Sequence, residues 1–368
     1  MNDITHDTLA MVDRAAIESA ARRIAQDVRR TPLWRVPGRQ FGLDVAEVWL
    51  KLEQLQVSGS FKARGMFNRM RSLPLPAAGV VIASGGNAGI AVATAAQAMG
   101  VPCEVFLPEV SPQAKRARLA ALGARVTVAG ALYPQALEAC LRRQAQTGAL
   151  LMHAYDQPEV VVGAGTLGLE IEEEAGLPDR VLVSVGGGGL VAGLATWFSS
   201  RSHVDALEPV NAPTLHAARA AGEPVDVAVS GVAADSLGAR RIGDIAWAVS
   251  QRHISGVHLI SEEAISRAQQ RMWAQWRLAV EPAAALPLAA LWEGIVQPAP
   301  SEKVCVIVCG ANLDPATLAG SPPSAEDRGK DGPAEQLRAG VPVARSSSPF
   351  GSAHGTVQWD LRATALPR

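Results

Sequence analysis

Lys62 stands in Ser58-Gly59-Ser60-Phe61-Lys62-Ala63-Arg64-Gly65, between glycines and beside an aromatic ring. A lysine taken alone is most often solvated, but these neighbours suit a tight pocket. A buried lysine has a depressed pKa and can form a Schiff base with a carbonyl. Ser84-Gly85-Gly86-Asn87-Ala88-Gly89 follows an apolar run and opens an Ala-rich one. A turn of that kind aims backbone N–H groups at an anion such as a carboxylate; an ordinary tight turn accounts for it equally well. Gly186-Gly187-Gly188-Gly189-Leu190 again separates an apolar run from a helical one. Four glycines let the backbone approach a phosphate from several sides. Their spacing is not that of a nucleoside triphosphate loop, and a dinucleotide turn would want its third glycine elsewhere.

These residues need elements that end at the turns. From Arg14 to Arg29 the residues Ile17, Ala20, Ala21, Ile24 and Val28 fall on one helical face, and Thr31-Pro32 stops the run. Residues 48–52 read as a strand. Strands at 80–83, 103–107, 126–129 and 150–154 then alternate with helices at 89–99, 111–122 and 134–145. Ser111 is the expected cap of the second of these helices, with Pro112 in its first turn. A second alternation places helices at 160–175, 190–198, 214–221, 261–276 and 283–291, and strands at 181–185, 204–207, 257–260 and 304–308. Ser261 looks like a helix cap. Such alternation implies parallel sheets with helices on their faces. The expected fold is α/β, with two open, mainly parallel sheets flanked by helices. The expected domains are a large one from residues 1–62 and 155–320, a small one inserted at 63–154, and a tail at 321–368. The tail is rich in Pro, Ser, Gly and Arg, lacks periodicity and reads as disordered.

Composition narrows the function. Net charge is -1, from 34 basic and 35 acidic residues without a basic run, which speaks against a nucleic-acid partner. No apolar stretch approaches the roughly 18 residues that a membrane span needs. The first 14 residues lack an apolar signal core. Cys103, Cys140, Cys305 and Cys309 form no Cys-x-x-Cys pair, so neither zinc nor a disulfide framework is suggested; reduced thiols in a cytoplasmic protein are the reading. His153, His203, His216, His253 and His258 have no ligand-like spacing, and Trp273 and Trp276 read as packing residues.

An imine-forming lysine, a carboxylate cradle and a phosphate cradle together are what amino-acid chemistry on pyridoxal 5'-phosphate (PLP) requires. With Glu281-Pro282 and Cys309-Gly310-Ala311-Asn312 added in order, the chain resembles the fold-type II PLP enzymes, in particular the serine/threonine dehydratases. The resemblance runs from about Thr31 to about Asn312. It implies that Lys62 holds PLP as a Schiff base, Phe61 packs against the ring, and Asn87 bonds the ring hydroxyl. It further implies that Gly186, Gly187, Gly188, Gly189 and Leu190 bind the phosphate, and that Ser84, Gly86, Asn87 and Ala88 hold the substrate carboxylate. Cys309 would face the pyridine nitrogen. A thiol is too weak an acid to keep that nitrogen protonated, which disfavours a long-lived carbanion and suits elimination of a β-hydroxyl. Lys62 and Ser84 are the expected catalytic residues, with Lys62 taking the α-proton.

The implied reaction is dehydration and deamination of serine, threonine or a related 3-hydroxy amino acid to a 2-oxoacid and ammonia, by a homodimer or larger assembly. Glu208-Pro209-Val210-Asn211-Ala212 resembles the cation segment of the family, so K+ is a candidate at Gly186, Glu208, Ala212, Leu237 and Ala239. Thr214 stands where divalent-binding relatives can carry an acid. Glu281-Pro282-Ala283-Ala284-Ala285 lacks a glycine found in many relatives, which touches pocket shape. Three readings compete: a racemase of the same fold, a β-replacement synthase, and a PLP-binding protein without turnover. A racemase needs a second acid/base, a serine in the Asn loop of the racemases compared, where this chain has Gly85.

Overall fold

Strand–helix alternation builds two sheets. The computed structural model describes residues 9–319. In chain order the first elements are α1 (Arg14–Ile24), β1 (Leu33–Pro37), β2 (Glu47–Lys51), α2 (Lys62–Ser72), β3 (Val80–Ile82), α3 (Asn87–Met99), β4 (Cys103–Leu107) and α4 (Gln113–Ala121). Then come β5 (Arg125–Val128), α5 (Tyr133–Thr147), β6 (Leu150–Leu151), α6 (Pro158–Ala175), β7 (Arg180–Ser184), α7 (Gly189–Phe198) and β8 (His203–Pro209). The last are α8 (Thr214–Ala221), α9 (Asp244–His253), β9 (Gly256–Ile260), α10 (Glu262–Trp276), α11 (Pro282–Trp292) and β10 (Lys303–Ile307).

The larger sheet has the order β1-β2-β10-β7-β8-β9 and the smaller the order β5-β4-β3-β6. Every pair is parallel except β1 with β2, where Leu33 faces Lys51 and Pro37 faces Glu47. Parallel strands with helices on both faces are buried on both sides. Val181, Leu182 and Val183 of β7 and Val304, Cys305, Val306 and Ile307 of β10 accordingly have no exposed surface. In parallel sheets, crevices form where the carboxyl ends of the strands meet the following turns. Both glycine-rich turns lie at such ends: Ser84–Gly86 after β3 and Gly186–Gly188 after β7.

The helix that begins at Lys62 is held by buried charges. Arg64 donates to Glu53 Oε1 at 2.7 Å and to Glu170 Oε2 at 2.8 Å. Lys51, fully buried on β2, donates to Glu170 Oε1 at 2.7 Å and to Thr31 O at 2.7 Å. Thr31 Oγ1 completes the network on Glu53 Oε1. Removing one partner of such a network strands a buried charge, typically at a cost of about 3–5 kcal/mol. The network ties α2 to β2 and α6.

Several boundaries differ from the sequence expectations for local reasons. α1 stops at Ile24, where the tighter bond from Asp27 N to Ile24 O at 2.9 Å closes a turn and Asp27 pairs with Arg71. Ser111 does not cap α4: Pro112, at φ -58° and ψ 144°, is the capping residue and makes no side-chain bond. Proline disfavours the helical region for the residue before it, which keeps Ser111 outside the helix. β6 keeps only Leu150–Leu151; Met152 N still donates to Val81 O at 2.9 Å, and beyond it the chain turns to bring Tyr155 against the glycine turn. The antiparallel edge strand β1 and the helix α9 carried no sequence signal strong enough to place them. Ser261 does cap α10, accepting from Ala264 N at 3.2 Å. Trp276 packs on Phe41 at 4.5 Å and stacks on Trp292, as a packing residue should, whereas Trp273 is partly exposed. The 321–368 tail lies outside the described residues.

Candidate active site

Phe61 and Lys62 sit where α2 meets the end of β10. Ser60 forms an isolated bridge with Gly310, and Phe61 N donates to Cys309 O at 3.0 Å. From there Lys62 points inward. Its Nζ donates to Ala154 O at 2.6 Å and lies 4.9 Å from the Phe61 ring centroid. Burial holds its pKa down at about 8, against an upward pull from Cys309 and Glu281. Near neutral pH a measurable fraction of the amine is therefore neutral and nucleophilic.

The four-glycine turn runs from the end of β7 into α7. The N–H groups of Gly186, Gly187 and Gly188 make no hydrogen bond to any described protein acceptor. Those of Gly189 and Leu190 open the helix, where intrahelical acceptors do not exist. A row of such donors at a helix N-terminus is an anion cradle. The turn is also a close approach: a Cβ on Gly187 would lie 2.2 Å from Tyr155 Cδ1. Tyr155 stands on the segment that also offers Ala154 O to Lys62, so one stretch touches amine and glycines alike. Its hydroxyl, pushed up to about 12 by burial, donates to Arg241 O at 3.3 Å.

One cavity is lined by Phe61, Lys62, Asn87, Gly186, Gly187, Gly188, Gly189, Leu190 and Cys309, together with Ser184, Ser236, Leu237, Glu281 and Ala283. The sequence-expected lysine, ring, amide, turn and thiol thus meet at one place. Ser84, Gly86 and Ala88 lie on the turn that opens α3 beside Asn87 but are not among the residues lining that cavity. A Cβ on Gly86 would face Asp235 O at 3.6 Å, so the turn meets the 235–237 segment, whose Leu237 backbone lies against Gly186. The Cys309 thiol is buried, and burial, followed by Glu281, pushes its pKa far above the ordinary thiol value. It keeps its proton.

Glu208 is fully buried at the end of β8 and receives Leu215 N at 2.7 Å and His216 N at 2.8 Å from the start of α8. Thr214 Oγ1 lies 2.9 Å from Glu208 Oε1 and 2.6 Å from Gly186 O. Burial raises the Glu208 pKa to about 7, and no Lys or Arg among the described residues forms an ion pair with it. Ala212 O accepts from Thr214 N at 3.1 Å. Gly186, Glu208, Ala212 and Leu237 are therefore neighbours; no contact places Ala239 with them. Among the described residues, no three His, Cys, Asp or Glu side chains form a metal cluster.

Little in the sequence points to Ser236 in this cavity, or to Ala154 and Tyr155, which with Phe61, Lys62 and Gly189 line a second one; Glu281 and Asn312 stood out only through the resemblance. The only local signal was the apolar-to-polar break at His153-Ala154-Tyr155-Asp156. His153 Nδ1 accepts from Asp156 N at 3.0 Å, and burial lowers its pKa. It shapes the turn rather than binding a ligand.

The donor set fits PLP. An amine of lowered pKa suits the aldehyde, unpartnered N–H groups on a close-packed glycine turn suit the phosphate, and the Phe61 ring supplies an apolar wall. A family model described as pyridoxal-phosphate dependent enzyme matches residues 24–310. The chain is similar to the L-threonine ammonia-lyase of Geobacter sulfurreducens, 36% identical over 84% of this chain and 77% of that protein. It is similar to the phenylserine dehydratase of Ralstonia pickettii, 34% identical over 85% and 97%. Among solved structures, maize serine racemase superposes with a TM-score of 0.78 at 31% identity, covering 84% of this chain and 96% of that one. Among the described residues no helix is long and apolar enough to cross a membrane.

Proposed function

Because the chain belongs to the family of pyridoxal-phosphate dependent enzymes, we propose that it is an ammonia-lyase acting on L-threonine, L-serine or a related 3-hydroxy amino acid, which it converts to a 2-oxoacid and ammonia. The observation that carries this reading is the Lys62 amine, buried at a pKa of about 8 in one cavity with the four-glycine turn. The activities printed for the threonine and phenylserine relatives support the reaction class.

PLP, when bound, draws electrons from the α-carbon of an attached amino acid and so acidifies the α-proton. Lys62 would carry the cofactor through Nζ and, once released, take up that proton; a pKa of about 8 leaves it able to do so near neutral pH. The N–H groups of Gly186 to Leu190 would hold the phosphate. Asn87 would bond the ring hydroxyl, and the protonated Cys309 thiol would face the ring nitrogen as a neutral partner. Ser84, Gly86, Asn87 and Ala88 would hold the substrate carboxylate. Tyr155 packs against the glycines that would hold the phosphate.

The racemase reading has a structural neighbour in its favour, but Gly85 offers no second proton carrier. A Cβ there would lie 2.9 Å from Leu107 Cδ2, so even a serine would need Leu107 to move. K+ at Gly186, Glu208, Ala212, Leu237 and Ala239 would neutralise a buried carboxylate with which no Lys or Arg among the described residues forms an ion pair. The reading takes residues 1–62 and 155–320 as one domain and 63–154 as an insertion; each sheet draws its strands from one of them. It extends to a cytoplasmic homo-oligomer: four free, buried thiols suit a reducing compartment, and a measured mass tests the assembly.

The experiment is a panel of L-threonine, L-serine and L-phenylserine assayed for oxoacid, ammonia and the D-amino acid. Oxoacid and ammonia in equal amounts are expected, and lost in Lys62→Ala. D-serine in excess of oxoacid would move the chain to the racemases, and an unchanged rate in Lys62→Ala would refute the assignment.

A further inference from the structure

We propose that Glu281 and Asn312 are positioning residues that decide which end of the Asn87 amide faces the cavity, with Arg118 as their anchor. The inference rests on Lys62 carrying PLP and Asn87 meeting its ring hydroxyl.

The argument is a donor count. Asn312 N donates to Glu281 Oε1 at 2.8 Å, and Asn87 Nδ2 donates to Glu281 Oε2 at 2.8 Å. Asn312 Nδ2 donates to Asn87 Oδ1 at 2.5 Å and to Ser58 O at 3.0 Å. Arg118 Nη2 donates to Asn312 Oδ1. A guanidinium only donates and a carboxylate only accepts. The chain Arg118–Asn312–Asn87–Glu281 therefore has one polarity, set independently from both ends. Arg118 takes the oxygen of Asn312, which turns its NH2 to Asn87; Asn87 must answer with its oxygen and give its NH2 to Glu281. The second N–H of Asn87 Nδ2 is left over for an acceptor in the cavity that Glu281 and Asn87 both line. Reversed, the amide would offer a carbonyl there, which a hydroxylate oxygen repels.

The fold is built around this chain. A Cβ on Gly59 would lie 2.4 Å from Asn312 Oδ1, so the glycine in Ser58-Gly59-Ser60 makes room for the anchor. Arg118 and Asn87 stand on α4 and α3, beside the four-stranded sheet. Glu281 and Asn312 adjoin α11 and β10 of the six-stranded side. Glu281 is 4% exposed and makes no ion pair among the described residues, so its hydrogen bonds carry its burial.

Glu281→Gln tests the count without changing shape. A glutamine has one oxygen for two N–H donors. The backbone N–H of Asn312 keeps it, and the amide nitrogen then confronts Asn87 Nδ2. The measurements are the visible absorption and circular dichroism of the PLP-loaded protein at fixed pH, with steady-state kinetics. Expected are retained cofactor, a change of about twofold or more in the ratio of the cofactor bands, and kcat lowered about tenfold or more with KM within about threefold. Asn312→Asp, which still accepts from Arg118, removes the donor to Asn87 and should shift the bands likewise, covering the case of a poorly folding Glu281→Gln. In an Asn87→Ala background, Asn312→Asp should add no spectral change, because its action runs through the missing amide. Parent-like bands in both single variants, or an undiminished shift in the Asn87→Ala background, would overturn the proposal. A parent protein that binds no PLP at Lys62 would instead defeat the underlying reading.

Discussion

Replacing Lys62 by methionine should abolish activity and yet stabilise the protein once PLP is removed. Without the cofactor the folded chain must hold an amine whose pKa burial lowers from 10.5 to about 8. At about 1.4 kcal/mol per pKa unit that difference is about 3 kcal/mol against folding. The sign follows from linkage. The folded-state value lies below the unfolded one, so unfolding takes up a proton between about pH 8 and pH 10.5. The penalty is complete below about pH 8 and fades as pH rises towards 10.5. Lys62→Met removes the charge with an unbranched side chain one atom shorter; it also forfeits the Nζ–Ala154 O bond, worth about 1 kcal/mol. The variant should therefore gain about 2 kcal/mol over the PLP-free parent at pH 7 and close to nothing at pH 10. Urea unfolding of both proteins at the two pH values reads this directly. Equal stability at pH 7, or the same difference at both values, would mean that the amine is solvated and would remove the basis for its role.

Two further outcomes follow from the same site. Gly187→Ala places a methyl 2.2 Å from Tyr155 Cδ1 and must displace the ring. Overpacking of that kind costs about 1–3 kcal/mol, so PLP should bind about tenfold or more weakly in a fluorescence titration; affinity within twofold of the parent would show that the turn is not packed as described. If K+ neutralises Glu208, the thermal midpoint should be a few degrees higher in KCl than in choline chloride, as expected for about 1.4 kcal/mol at ten times the Kd. Glu208→Gln should erase that difference, and equal midpoints in the two salts would remove the cation from the proposal.

Most of the fold was legible because its strands are short apolar runs and its helices are punctuated by glycine. Cys103–Leu107 and Thr214–Ala221 fall where their patterns end. β1 was not legible: Trp34, Arg35 and Pro37 show no clean alternation, and the strand exists because β2 offers a free edge to pair with. The α4 cap was misread because Ser111 has the right chemistry but stands before a proline. α9 was missed for a different reason. Its N-terminus is supported by Asp156, 88 residues earlier, which accepts from Asp244 N at 3.1 Å, and no local pattern announces such a partner.

The site divides in the same way. Lysine and glycines were determined by residue type and local spacing, since a Schiff-base amine and a phosphate cradle need that side chain, or the absence of one, within a few positions; the part of Asn87 came from the resemblance. The convergence of position 62 with positions 186–190 is a property of two separate strand ends, and only the folded sheets bring it about. Depth of burial, which lowers the amine's pKa, belongs to tertiary packing. So does the polarity of the Asn87 amide, which is set by Arg118, Glu281 and Asn312 from 31 to 225 positions away. Sequence alone specified which groups were present; their protonation and orientation depend on neighbours that contact order, not spacing, supplies.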